Sequence, residues 1–322
     1  MKKDTILIFQ QPELYFFPHF EDIVFSPFGI PEKSLRYLIY KILYLLHIPV
    51  CSVFWGDWKK HIREAKQVII FDYGYQAGME TYIKKINPSC QVFLFAWNII
   101  DKKHKNHKLF TDKNAIFSTD RGCCKKYHFK YNHMFYTRDY YQPYSAKYQN
   151  RLFFFGADKG RAVYLAALKK KLEQSGLICD IRVVTKSGRD FHNPSLSGIV
   201  TKTSLPYKEY CREIKHSGVL LDINQKGQKA LTMRVMEAIY FSKKLITNNA
   251  DIIHYPFYNE NNIYLLPKKL SQVSAEEIRR FLERPFLPYS EEILSYYDFE
   301  HWKNRFIQGG GEEIINCNKR AL

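Results

Sequence analysis

Short apolar runs alternate with stretches of helical spacing along most of this sequence. Residues 67–71 (Gln-Val-Ile-Ile-Phe), 91–95 and 115–118 each read as a buried strand. They end at Asp72-Tyr73-Gly74, Ala96-Trp97-Asn98 and Thr119-Asp120. Residues 6–10 supply an earlier strand. Continuous apolar runs of this length suit strands covered on both faces, and helices between them suit the crossovers of a parallel sheet. The pattern then starts again. Residues 152–155, 179–184, 218–223 and 244–247 read as strands, with helical spacing up to Gly176 and over 207–215 and 232–241. Two further helical stretches, 275–283 and 289–306, follow.

Two series of this kind predict two Rossmann-like α/β domains. A length of 322 residues agrees, at ~100–200 residues per domain. A hydrophobic fraction of 46% suffices for two cores. The polar stretch 138–150, with Pro143, reads as the linker. The expected domains are 1–145 and 146–322, with the final helices crossing back toward the first. Ligands on parallel sheets collect at the carboxyl ends of the strands. That rule places Asp72, Trp97, Asn98 and Asp120 where chemistry happens. Asp72 and Asp120 are the candidate general bases; capping the next helix is the other role open to each.

A helix is expected from Leu35, with Ser34 as its N-cap. Leu35, Leu38, Ile39, Ile42, Leu45 and Leu46 share one face, and Arg36, Tyr37, Tyr40, Lys41 and Tyr44 the other. The Tyr/Lys face is expected to be a polar outer face or a packed domain surface, or to rest on a membrane.

The charge balance narrows the partners. Lys+Arg minus Asp+Glu is 49 − 32 = +17, a surface suited to nucleic acid, a phosphorylated substrate or acidic lipid. Residues 101–148 carry 11 Lys/Arg against 4 Asp, a cationic rim suited to anionic lipid or a lipid-pyrophosphate acceptor. No helix-turn-helix, RNP-type strand or zinc spacing is present, so nucleic acid is not the expected partner. The seven cysteines, Cys51, Cys90, Cys123, Cys124, Cys179, Cys211 and Cys317, form no Cys-x-x-Cys pair and read as reduced thiols. The histidines show no metal-ligand spacing; His61, His104, His107 and His133 are expected at the surface. Residues 6–9 are too short for a secretory leader, and 35–50 is broken by Arg36, Lys41 and His47, so a cytoplasmic protein is expected.

Two segments carry the chemistry. In Phe154-Phe155-Gly156-Ala157-Asp158-Lys159-Gly160-Arg161 a strand ends, a glycine-flanked loop follows and a helix starts. Free N–H groups at a helix N-terminus, with Lys159 and Arg161 beside them, suit a pyrophosphate. In the second, a strand ending at Asp222-Ile223 feeds a Gly- and Gln-containing loop into a helix opened by Thr232-Met233-Arg234, with Glu237 one and a half turns in. Thr232 is the expected N-cap, and N–H groups near Thr232 and Met233 can meet phosphate. A carboxylate at Glu237 can accept two ribose hydroxyls. The competing roles are structural: Arg234 paired to Glu237 or Asp222, and Asp222 as a cap.

Met236-Glu237-Ala238 through Lys244-Leu245-Ile246-Thr247-Asn248 resembles the C-terminal signature of GT-B glycosyltransferases. Gly156 to Arg161 resembles the donor-pyrophosphate loop of the same domain. The likeness spans residues 152–249 and extends to 115–136, and it is nearest to bacterial glycosyltransferases of capsule, exopolysaccharide and lipopolysaccharide assembly. It implies a GT-B fold, two domains facing across a cleft, and a hexosyltransferase-like, metal-independent enzyme without a cofactor. The donor is a nucleotide-sugar, first a UDP-sugar, held by Gly156, Lys159, Gly160, Arg161, Thr232, Met233, Arg234 and Glu237. The acceptor is a saccharide or lipid-linked. The location is cytoplasmic, peripheral at the inner membrane face. The retaining families carry a second Glu eight residues before this one; here that position is Lys229. Stereochemistry therefore does not carry over. A catalytically inactive GT-B partner subunit and a nucleic-acid-binding protein are the alternative readings.

Overall fold

The computed structural model describes residues 4–10, 20, 23–29, 34–45, 52–98, 100, 106–185, 188–225 and 227–311. They form two compact units: residues up to Asn132 together with Asn304–Gly311, and His133–Lys303.

The first unit carries β1 (Thr5–Ile8), β2 (Val24–Phe25), α1 (Leu35–Leu45), β3 (Gln67–Phe71), α2 (Met79–Ile86), β4 (Gln91–Ala96), β5 (Ile116–Ser118), α3 (Arg121–Tyr127) and β6 (Lys130–Tyr131). Its sheet runs β2-β1-β3-β4-β5-β6, every pair parallel. All five residues of β3 are buried, as a central strand covered on both faces requires. Phe306 returns to this unit and packs on Phe93, Phe95 and Phe117, at 5.5, 5.6 and 4.6 Å between ring centroids. Arg305 Nε donates to Asn132 Oδ1 at 2.9 Å.

The second unit carries β7 (Arg151–Ala157), α4 (Ala162–Gln174), β8 (Ile178–Val184), α5 (Gly188–Phe191), β9 (Val200–Thr201), α6 (Tyr207–Lys215), β10 (Val219–Asp222), α7 (Met233–Tyr240), β11 (Lys244–Thr247), β12 (Ile263–Leu265), α8 (Ala275–Glu283), α9 (Glu291–Tyr297) and the start of α10 (Phe299–Ile307). Its parallel sheet runs β12-β11-β10-β7-β8-β9. The order reverses between β7 and β10, so the crevice beyond their carboxyl ends is the topological switch point, where doubly wound sheets bind ligands. The core beneath is aliphatic, with Leu165, Leu168, Leu172, Val219, Leu221 and Ile246 fully buried.

The sequence reading needs two corrections here. The helical pattern 289–306 is two helices, because the chain turns extended at Asp298 (ψ 151°). The stretch 138–150 contains two short 3-10 turns, each opened by a hydroxyl, Thr137 accepting from Asp139 N and Ser145 from Lys147 N. His107 and His133 are 8% and 2% exposed, not surface residues, and burial lowers the pKa of His107. In α1, Leu35, Leu38, Ile39 and Ile42 are 73%, 55%, 41% and 48% exposed, and it is the tyrosine side that packs, with the Tyr40 ring 4.8 Å from that of Phe28. His104, Leu46, Cys51 and Cys317 lie outside the described residues, and so do the side chains of Lys41 and Tyr44. Cys90, Cys123, Cys124, Cys179 and Cys211 are free. Among the described residues no helix is long and apolar enough to cross a membrane.

Candidate functional site

The strongest concentration of polar chemistry lies at the switch point of the second unit. β7 ends at Ala157, and Lys159 (φ +46°) and Gly160 (φ +78°) turn the chain through the left-handed region into α4. Such backbone favours glycine, so a lysine there carries local strain. Asp158 closes the loop. Its Oδ1 accepts from Arg161 N at 2.9 Å and Ala162 N at 2.7 Å, and its Oδ2 from Gly160 N at 3.1 Å. The chain's own carboxylate thus occupies the Gly160, Arg161 and Ala162 N–H groups.

Positive charge at the site therefore comes from side chains. Arg161 is pinned by three carbonyls: Nε to Asp158 O at 3.1 Å, Nη2 to Ala157 O at 2.6 Å, and Nη1 to Ile223 O beyond β10. Arg234, from the first turn of α7, donates through Nη2 to Phe155 O at 2.7 Å and pairs with Asp222 at 3.5 Å. Both guanidinium groups lie over the Phe154 ring, at 4.5 Å for Arg234 and 5.4 Å for Arg161. Gly156 makes room for them, since a Cβ there would lie 3.3 Å from Arg234 Nη2. Burial, then repulsion from Arg234, lowers the pKa of Arg161 to about 10. Lys159 is exposed as a residue, yet burial about its ammonium, followed by repulsion from both arginines, lowers its pKa too. Arg234 Nε is buried and makes no hydrogen bond among the described residues. Three cations gathered against their mutual repulsion, one with an unused donor, suit an anion of two or more charges.

Asp222 is the counter-charge. It is fully buried and accepts from the hydroxyls of Thr232 at 2.8 Å and Thr247 at 2.9 Å. Thr232 occupies the N-cap position of α7, but its side chain makes no capping bond. Its hydroxyl donates to Asp222. Met233 follows as the first residue of α7.

Glu237 is not cleft-facing; it is 3% exposed. Its Oε1 accepts from Tyr207 at 3.3 Å and its Oε2 from Tyr210 at 2.5 Å, and the Tyr207 hydroxyl meets that of Tyr136. Burial raises its pKa to about 7 against the pull of Tyr210, Arg234 and Tyr207. Sequence reasoning missed this tyrosine cage. Its only trace is the i, i+3 spacing of Tyr207 and Tyr210 on α6. Asp158 was also missed, although an Asp two residues before a loop glycine is a turn signal.

In the first unit, Asp72 follows β3 and Asp120 follows β5. Asp72 is 7% exposed, and its Oδ1 accepts from Tyr73 N at 3.0 Å and Asn98 Nδ2 at 3.2 Å, its Oδ2 from Asn98 N at 3.2 Å. Asp120 is the N-cap of α3, accepting from Cys123 N at 2.8 Å. Each carboxylate already serves as a structural acceptor. Asn also caps well, so Asp120→Asn should leave stability within a few tenths of a kcal/mol, while Asp120→Ala should cost ~1 kcal/mol. Thermal denaturation of both variants checks this cap assignment; equal losses would contradict it. Among the described residues no group of three or more His, Cys, Asp or Glu side chains is placed to hold a metal ion.

No protein-family model and no curated protein sequence matches the chain. Solved structures do. The crystal structure of AviGT4, a glycosyltransferase involved in avilamycin A biosynthesis, superposes with a TM-score of 0.55 at 12% identity, covering 88% of this chain and 81% of that one. Sucrose-phosphate synthase from Thermosynechococcus elongatus overlays less well, with a TM-score of 0.44 at 8% identity over 87% and 79% of the two chains. Two six-stranded parallel sheets flanked by helices, together with the AviGT4 likeness, establish a two-domain α/β fold of the GT-B type.

Proposed function

We propose that this protein is a glycosyltransferase whose second unit holds the diphosphate of a nucleotide-sugar donor among Lys159, Arg161 and Arg234. One observation carries the reading: three side-chain cations meet at the switch point of a doubly wound sheet, and Arg234 Nε there lacks a hydrogen-bond partner among the described residues. The GT-B fold supports it. A UDP-sugar is the first candidate donor, and a saccharide or lipid-linked acceptor of cell-surface polysaccharide assembly the first candidate acceptor.

In that reaction the acceptor oxygen attacks the anomeric carbon. The bond from that carbon to the diphosphate oxygen breaks, and the nucleoside diphosphate leaves with the electron pair. The three cations stabilise the charge that develops on it, and as fixed groups they need little reorganisation. The acceptor proton needs a base. In this reading Asp72, which holds Tyr73 N and the two Asn98 donors, and Asp120, whose Oδ1 holds Cys123 N, are the candidate bases. Glu237 reaches ribose only by releasing Tyr207 or Tyr210, and in this reading it shapes the site from beneath.

A melting panel with UDP, GDP, CMP and an RNA oligonucleotide tests the proposal. UDP or GDP at a hundred-fold excess over Kd should stabilise the protein by about 2.7 kcal/mol. CMP, with one phosphate, should do less. Stabilisation by RNA with none by either diphosphate would overturn the reading in favour of a nucleic-acid-binding protein.

A further inference from the structure

Arg234 and Glu237 stand three residues apart on α7, which places them on one face of the helix. The Tyr210 hydroxyl, arriving from α6, links them. It donates to Glu237 Oε2 at 2.5 Å and lies beside the Arg234 guanidinium. Arg234 also pairs with Asp222 at 3.5 Å and repels Arg161 at the end of β7. Its side chain is 12% exposed. One largely buried guanidinium is thus held in common by two carboxylates and the cation cluster.

We infer that Glu237 is a positioning residue that sets donor affinity through Tyr210 and Arg234, taking up a proton when the diphosphate binds and releasing it when the diphosphate leaves. The inference deepens the donor reading and rests on it. With Glu237 neutral, Asp222 is the carboxylate left on Arg234, and the guanidinium charge is available to an anion. With Glu237 ionised, a second carboxylate competes for that charge across a poorly screened interior, and the diphosphate binds less tightly. The effect is reciprocal: an anion at Arg234 favours the neutral acid.

The ionisable groups around Glu237 are Arg234 on its own helix, Tyr207, Tyr210 and Cys211 from α6, Tyr136 from the segment before β7, and Asp222 from β10. Burial above all raises the three tyrosines well beyond their usual range and Cys211 to about 12, so they stay neutral below pH 8. Arg161, lowered by burial and by Arg234 to about 10, stays charged. Burial raises Glu237 to about 7, so this acid changes charge between pH 6 and pH 8.

Calorimetric titration of the full chain with UDP and with GDP, at pH 6 and pH 8, tests the inference against Glu237→Gln. Glutamine keeps the shape but cannot ionise. Its pH dependence therefore records the titration of the ligand itself and of Lys159. Beyond that change, the wild type should bind about five- to ten-fold less tightly at pH 8 than at pH 6, about ten-fold being the ceiling for a group titrating at about 7. At pH 7 its binding heat should differ between HEPES and Tris by more than that of the variant, because it draws a proton from the buffer. Tyr210→Phe removes the link and should shrink the pH dependence too, and it gives the same comparison should Glu237→Gln fail to fold. A pH dependence equal to the wild type in a folded, diphosphate-binding variant would overturn the inference and leave the donor reading in place. Binding of neither diphosphate by the wild type would overturn the donor reading, and the inference with it.

Discussion

Lys159→Gly combined with Arg161→Met should weaken nucleoside diphosphate binding by about a hundred- to ten-thousand-fold. Each removes a charge-assisted contact worth ~1.5–3 kcal/mol to an anionic ligand. Binding of the matching nucleoside should hardly change, because it offers these cations no phosphate. Stability separates this from a folding defect. Lys159 sits at φ +46°, a conformation costing a non-glycine residue ~1–2 kcal/mol, and its side chain makes no hydrogen bond or ion pair among the described residues. Lys159→Gly alone should therefore hold or raise the melting temperature while it lowers diphosphate affinity. A residue kept for structure would do the reverse. Calorimetric titration and melting of the same samples read both quantities, and parallel loss of nucleoside and diphosphate binding would contradict the assignment.

The second large effect concerns Glu237. Its removal leaves the Tyr207 and Tyr210 hydroxyls without their acceptor in the interior, and each such loss costs ~1–3 kcal/mol. Glu237→Ala should accordingly destabilise the fold by about 2–6 kcal/mol. Glu237→Gln keeps the shape and removes the titration. The carboxyl titrates at about 7 in the folded protein rather than at its ordinary value of 4.5. The folded chain thus holds this proton more tightly than the unfolded chain does. The stabilisation that follows is fully present below pH 4.5 and is lost as pH rises through 7. It is worth about 3 kcal/mol over that window. Urea denaturation across this range should show the wild type losing that much stability relative to Glu237→Gln. Identical pH profiles for the two would mean that Glu237 is not the buried acid described.

What the sequence disclosed, and what it withheld, follows from the range of the forces involved. The bounds of β11, α6 and α8 are legible as Lys244–Thr247, Tyr207–Lys215 and Ala275–Glu283, because apolar periodicity and local caps set them. The four strands that were not legible, β2, β6, β9 and β12, are the four sheet edges, of two or three residues each. A period of two cannot be read from so few positions, and such strands exist only because a neighbour supplies their hydrogen bonds. Which face of α1 packs was left open for a related reason. Amphipathicity says that two faces differ, and here the ring contact of Tyr40 with Phe28 places the tyrosine side inward.

At the site, the loop from Gly156 to Arg161 was visible, since glycines and cations stand together in the chain. Its internal closure by Asp158 was not, because the expected ligand and the chain's own carboxylate compete for the same N–H groups. Thr232 was placed at the right position and given the wrong bond, since Asp222 lies ten residues away. Glu237 was read as a ribose acceptor, since nothing local reports that Tyr207 and Tyr210 arrive from about thirty residues upstream. Pairings made by tertiary approach carry no signature in short-range spacing.

The central claim is that the cationic cluster at the switch point of the second unit holds the donor diphosphate. Diffraction from crystals of the full chain grown with whichever of UDP or GDP raises its melting temperature tests this most directly. The account predicts phosphate oxygens within ~3 Å of the Lys159, Arg161 and Arg234 side chains. A nucleoside diphosphate bound elsewhere would contradict it.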